Sequence, residues 1–235
     1  MSECTAQQGW PNSGVYFFFE PGELRTNTAE PRVVRVGTHH VSRGSKATLW
    51  NRLRTHRGTG DGNGNHRSSI FRLHIGAAIS ARDPDVMVAS WGVDQAADDT
   101  LRKAEKGLEQ RVSAHIGKMS VLWLDIEDDA SPSSDRAYIE RNLIGILVGK
   151  IGPADTPSQE WLGQFSPNER IQLSGLWNLD FLDYTYSPDC LDILDEYVLI
   201  TTGKRPLPTG PITPRDWYTN ERQGVPRNQL SLFGG

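Results

Sequence analysis

The stretch Gly14-Val-Tyr-Phe-Phe-Phe19 limits the possible folds more than any other part of the chain. Alternation along a strand sends successive side chains to opposite faces, and here neither set is polar. Such a strand needs cover on both faces, so it belongs inside a sheet enclosed by other layers. Pro21-Gly22 is expected to end it. Arg32-Val-Val-Arg-Val-Gly37 reads as a second strand, and the turn signals at Pro21-Gly22 and Asn27 make an irregular hairpin of the two. Ser120-Val-Leu-Trp-Leu-Asp-Ile126 is the third strand candidate.

Helical periodicity fills the rest. Thr48 to Arg57 places Leu49, Trp50 and Leu53 on one side, and Ser68 to Ile79 spaces Ile70, Leu73 and Ala77 by three and four. Asp98 to His115 carries Leu101, Leu108, Val112 and Ile116 along one stripe. Asp135 to Gly149 reads as a further helix, as do Gln159 to Phe165 and Asp189 to Ile200. Gly58 to Gly64 reads as a flexible loop, and no Gly-Lys-Ser/Thr closes it into a phosphate-binding P-loop. No period repeats. The expectation is one α/β domain over residues 1–200, with core elements at 14–57 and 120–150 and a Pro-rich extension over 201–235.

Cys4 and Cys190 lie far apart without metal-ligand spacing, which argues against a disulfide framework. No apolar run approaches the roughly 18 to 20 residues that cross a bilayer. With no secretory signal legible in Met1 to Trp10, the expectation is a soluble cytoplasmic protein. The net charge of −4 hides an asymmetry. Between Arg32 and Arg72 lie nine Lys or Arg residues, four histidines and one acid, Asp61, while acids gather at Asp125–Asp129 and Asp180–Glu196. Either this is a basic face for a phosphate backbone, or the two halves pair in space.

Several side chains fit a structural role poorly. Arg35 interrupts a valine-rich strand, where an unpartnered buried cation is costly. Glu140 has Ala137, Leu143 and Ile144 as its helical neighbours, so its carboxylate projects near an apolar face, where it needs a partner or a metal. Arg52 and His56, four apart, share a helical face.

Taken in order, these residues resemble the GIY-YIG endonuclease family. Gly14-Val15-Tyr16 resembles its Gly-Ile-Tyr element, and Arg35-Val36-Gly37 stands where Tyr-Ile-Gly is expected. Arg52 and His56 have the family's arginine-x-x-x-histidine spacing, and Glu140-Arg-Asn-Leu-Ile144 resembles the later helix with the metal-binding glutamate. The resemblance covers residues 14–150 and suggests a restriction-type member with large insertions. It implies a small, mainly antiparallel sheet of about three strands flanked by helices, with helical insertions and a C-terminal extension. It also implies metal-dependent hydrolysis of DNA.

The roles that follow are expectations of that resemblance. Tyr16 is the general base, and Arg35, standing where the family has tyrosine, favours its phenolate, because a free tyrosine with a pKa of about 10 is a poor base at neutral pH. Arg52 clamps the scissile phosphate, and His56 assists the attacking water or bonds the phosphate. Glu140 holds one Mg²⁺ or Mn²⁺. Asn178 stands for the family's late asparagine, with a structural role equally open to it. His39, His66, Arg67 and Arg72 are expected near the DNA backbone, with a solvated helix start as the alternative for the last three. Asp125 and Glu127, on one strand face, offer a rival metal site or a plain acidic turn. The partner is double-stranded DNA and no membrane; a homodimer would let two active sites cut both strands, and residues 76–117 and the tail after Thr202 are candidates for specificity or dimer contacts. The alternative function is a catalytically inactive nucleic-acid-binding module on the same scaffold.

Overall fold

β1 (Gly14–Leu24) is the middle strand of an antiparallel sheet, with β2 (Pro31–Thr38) on one side and β3 (Ser120–Asp125) on the other. The computed structural model describes residues 1–38, 48–94, 96–149, 152–213 and 217. The double-sided apolar pattern of β1 works as its sequence requires. Tyr16 and Phe18 enter one core with Leu49, Leu53, Phe71, Ile75, Trp161 and Trp177. Val15 enters a second core with Ile139, Leu143, Ile144 and Tyr197. Helices α1 (Leu49–Arg57), α2 (Ile70–Arg82) and α3 (Asp99–Gly117) supply the first core, and α4 (Asp135–Val148) and α6 (Cys190–Thr201) the second. The result is the expected α/β architecture, a three-stranded antiparallel sheet between helical layers.

Pairing runs Tyr16 to Gly37, Phe17 to Val36 and Phe18 to Arg35 on one side, and Tyr16 to Trp123 on the other. On β2 the register then slips, so that Phe19 faces Val33 and Val34 is the extra residue. The bulge leaves the Val34 carbonyl to accept from the Trp177 amide at 2.8 Å. That bond lays residues 177–178 along the open edge of β2, where Asn178 continues it.

Helix starts are written locally. Thr48, Ser69, Asp98 and Ser134 each accept a backbone N–H from the first turn of α1, α2, α3 and α4. Two expectations fail. β1 passes through Pro21-Gly22 to Leu24, with Gly22 absorbing a φ of 85° that other residues resist. Gln159 to Phe165 forms only a 3-10 turn at Leu162–Phe165, because long-range bonds claim its flanks: Ser158 N–H donates to Glu23 and the Trp161 indole to Glu20. A short helix not anticipated, α5 (Glu169–Ser174), is capped by Asn168 and ended by Gly175 at a φ of 69°. The glycine loop is a hydrogen-bonded turn, with Thr59 N–H donating to Asn63 O at 2.7 Å. Beyond α6 the chain returns to α4, where Asp135 accepts from Tyr197 Oη, Ile212 N–H and Thr213, and Trp217 donates to Ser133 O.

Candidate active site

Tyr16 projects from the middle strand toward β2, and Gly37 opposite it is the reason it fits. A Cβ at Gly37 would collide with the Tyr16 ring and hydroxyl. The third position of the second motif is therefore a steric requirement of the first motif's tyrosine. The phenol oxygen lies 2.8 Å from His56 Nε2, and His56 Nδ1 lies 2.7 Å from Ser69 Oγ. Tyr16 and His56 are fully buried and Ser69 nearly so. Burial, and then the charges of Arg52, Arg35 and Arg72, hold the His56 pKa well below the usual imidazole range, so the ring is neutral at physiological pH. The Arg52-x-x-x-His56 spacing is thus not a surface pair; one helical face delivers a buried imidazole and a partly exposed guanidinium.

Arg35 is buried. Its Nη1 donates to the Trp177 carbonyl at 2.8 Å, its guanidinium lies 4.8 Å from the Phe71 ring centre, and its Nε has no hydrogen-bond partner among the described residues. The hydrogen-bond partner of Tyr16 is His56, not Arg35. Arg35 acts on this region through its charge, which bears on His56 and Glu140 together. Arg52 reaches the Ser68 carbonyl at 3.4 Å and bears on the same two groups.

Glu140 projects from α4 to the end of β2, where Oε1 accepts the Thr38 N–H at 3.2 Å. Burial pushes its carboxyl up to about 7, opposed by Arg35 and the Thr38 bond and reinforced by Asp180. A carboxylate so placed, with one oxygen anchored, fits a hard cation that draws most of its ligands from water and phosphate. No cluster of three or more acidic, histidine or cysteine ligands exists among the described residues, so a metal here relies on Glu140 with few protein helpers. At the rival position, Asp128 turns away to Arg136, leaving Asp125 and Glu127 to repel each other without a cation beside them among the described residues.

The expected DNA contacts resolve differently. Arg72 is fully buried and pairs with Glu109 at 2.5 Å, also donating to the His56 carbonyl and Ser113. His66 Nδ1 lies 3.0 Å from the same carboxylate, and Arg67 holds Glu105 through two bonds of 2.6 and 2.8 Å. Arg32, likewise, is buried against Glu23. Much of the basic segment is therefore paired internally with acids of β1 and α3, since an unpaired buried guanidinium would cost several kcal/mol or more. Asn178 is buried with both amide groups on Val36, accepting from its N–H at 3.1 Å and donating to its carbonyl at 2.8 Å. It braces the edge of β2 as a strand would. His39 lies outside the described residues.

Three residues near this centre had no signal in the chain's motifs. Ser69 is legible as a helix cap but not as a partner of His56, from which an insertion separates it. His74, one turn beyond Phe71, has an Nε2 without a partner among the described residues, and burial and then Arg35 lower its pKa to about 4. Asp180 follows the Asn178 brace and repels the Glu140 carboxylate.

A fixed phenol, a neutral imidazole and unspent positive charge beside one carboxylate make a hydrolase-type centre suited to an anionic ester. A family model described as the GIY-YIG domain matches residues 1–204. The chain belongs to that family, and its domain is of the nuclease type. Comparisons with curated proteins and with solved structures return no match. No helix among the described residues is long and apolar enough to cross a membrane.

Proposed function

We propose that this chain is an endonuclease that hydrolyses phosphodiester bonds in double-stranded DNA with one Mg²⁺ or Mn²⁺ per active site. Restriction or another form of genome defence within the cytoplasm is the setting we favour, with residues 1–200 as the nuclease domain and 201–235 as its extension. The observation that carries the reading is the 2.8 Å contact between Tyr16 Oη and His56 Nε2, bordered by Arg35, Arg52 and Glu140. The reading is supported by the charges of Arg35 and Arg52 bearing on both the His56 imidazole bonded to Tyr16 and the Glu140 carboxylate.

In the proposed reaction Tyr16, as phenolate, takes a proton from water while the water oxygen bonds to phosphorus. The bond from phosphorus to the leaving oxygen breaks, and that oxygen takes a proton from solvent. Arg52 orients the phosphate and offsets charge gathering on its oxygens. Arg35 adds fixed positive potential, and His56 holds the Tyr16 oxygen in place. Glu140 holds the divalent ion, which supplies Lewis-acid stabilisation of the phosphate and leaving group when bound. Since each site cuts one strand, a homodimer is the simplest route to a double-strand break.

Plasmid cleavage in Mg²⁺, Mn²⁺ or EDTA tests this with wild type, Glu140→Ala and Tyr16→Phe. Metal-dependent nicking lost in both variants supports it. Salt-sensitive DNA binding without cleavage under any divalent ion would instead favour an inactive binding module, with Arg35 in the tyrosine position as its cause.

A further inference from the structure

We propose that Ser69 is a positioning residue for the hydrolysis, holding His56 as the Nε2–H tautomer so that the ring donates to the Tyr16 oxygen. The inference rests on Tyr16 acting as the general base.

Ser69, His56 and Tyr16 form a continuous run of hydrogen-bonding groups whose protons can be counted. Ser69 Oγ caps α2 by accepting the Arg72 N–H at 3.2 Å, and its other hydrogen-bond partner among the described residues is His56 Nδ1 at 2.7 Å. His56 Nε2 in turn faces Tyr16 Oη at 2.8 Å. A neutral imidazole has one N–H, so two arrangements are open. If Nδ1 carries it, the ring donates to Ser69, and the serine's own proton is left at a buried dead end, because Ser69 is 1% exposed. The Nε2 lone pair then points at Tyr16. That is tolerable for a phenol but repulsive for a phenolate, which is the form that takes a proton from water.

If Nε2 carries the proton, Ser69 O–H donates to Nδ1 and Nε2–H donates to Tyr16. The surplus proton then sits on the phenol, at the substrate end, and leaves when the base forms. With the phenolate present every donor in the chain has an acceptor. The N–H of Arg72 bonded to Oγ also polarises the hydroxyl toward donation. A second proton on the imidazole is resisted by burial and by the charges of Arg52 from α1, Arg35 from β2 and Arg72 from α2, against the pull of the Tyr16 oxygen once it is a phenolate. Ser69 thus does for His56 what an orienting carboxylate does elsewhere, without placing a negative charge beside the base.

The test uses the full chain labelled with ¹⁵N, comparing wild type with Ser69→Gly and Ser69→Thr. Glycine is nearly as good as serine at a helix N-cap, so Ser69→Gly keeps the cap of α2 and its cost falls on the His56 Nδ1 left without the hydroxyl; a thermal melt verifies that the variant still folds. Long-range ¹H–¹⁵N spectra of His56 should show a protonated Nε2 and a bare Nδ1 in wild type and Ser69→Thr, with Nδ1–H appearing in Ser69→Gly. Plasmid cleavage by Ser69→Gly at neutral pH should fall at least about tenfold, its activity profile moving to higher pH, and threonine should restore both. An Nδ1–H tautomer in wild type overturns the assignment. So does a folded Ser69→Gly whose pH profile coincides with wild type. A wild type that cuts no DNA overturns the nuclease reading instead, while the tautomer still decides the role of Ser69.

Discussion

Replacing Glu140 by glutamine should make this protein more stable and abolish its activity. Glutamine keeps the volume of the side chain and an oxygen to accept the Thr38 N–H, now at 3.2 Å, but carries no charge. Burial raises the Glu140 carboxyl from 4.5 to about 7. The folded state therefore holds a proton across that range that the unfolded chain has shed. Below the lower value both states are protonated and the group is neutral in its effect. As pH rises through the window the fold loses stability relative to the unfolded chain, and above the upper value the loss is complete. At about 1.4 kcal/mol per pH unit the rise from 4.5 to about 7 sets a ceiling of about 3.5 kcal/mol, and relaxation of the site leaves about half of it. In a chain of this size each kcal/mol moves the melting temperature by about 2–4 °C. The assay is a set of thermal melts in EDTA from mildly acid to mildly alkaline pH. Wild type and Glu140→Gln should coincide at the acid end and separate with rising pH, the variant melting several degrees higher. Adding Mg²⁺ should narrow the gap by stabilising wild type alone. A variant that melts at or below wild type at alkaline pH would refute the account of Glu140 as a desolvated carboxylate.

Tyr16→Phe should reduce cleavage by about 10²–10⁴ and destabilise the fold by about 1–3 kcal/mol, because the buried His56 Nε2 loses its partner; kinetics on nicked plasmid and a denaturant melt read the two effects. Gly37→Ala should displace the Tyr16 ring and lower cleavage more than it lowers melting temperature, and equal activity would contradict the steric reading. Glu109→Ala should cost about 3–5 kcal/mol, since it strands buried Arg72 and removes the partner of His66, while the salt slope of DNA binding at low temperature stays unchanged. Asp135→Ala should release the segment at Ile212 and Thr213, seen as faster proteolysis beyond α6 with catalysis retained.

The elements of this fold are mostly local statements. β1 announces its central place because both of its faces are apolar, and the caps at Thr48, Ser69, Asp98 and Ser134 mark helix starts that need no tertiary context. The order of Tyr16, Arg52, His56 and Glu140 carries the family resemblance because each lies in an element with a strong period, so its neighbours announce which way it projects. What depends on distant partners was not legible. The charges of Arg67 and Arg72 read as a basic surface until α3 brings Glu105 and Glu109 against them. Asn178 is open in the sequence to a site role or a structural one, and only the bulge at Val34 shows its amide bracing the edge of β2. Arg35 stands in the tyrosine position, yet only packing against Phe71 and the Trp177 carbonyl shows where its charge is held. Sequence by itself determined the sheet's central strand, most helices and the elements that carry the candidate site residues, since backbone preference and periodicity act over a few residues. Tertiary structure alone decided which charges are cancelled and which hydroxyl meets His56, because Coulomb interactions and hydrogen bonds depend on distances in space that separation along the chain does not encode.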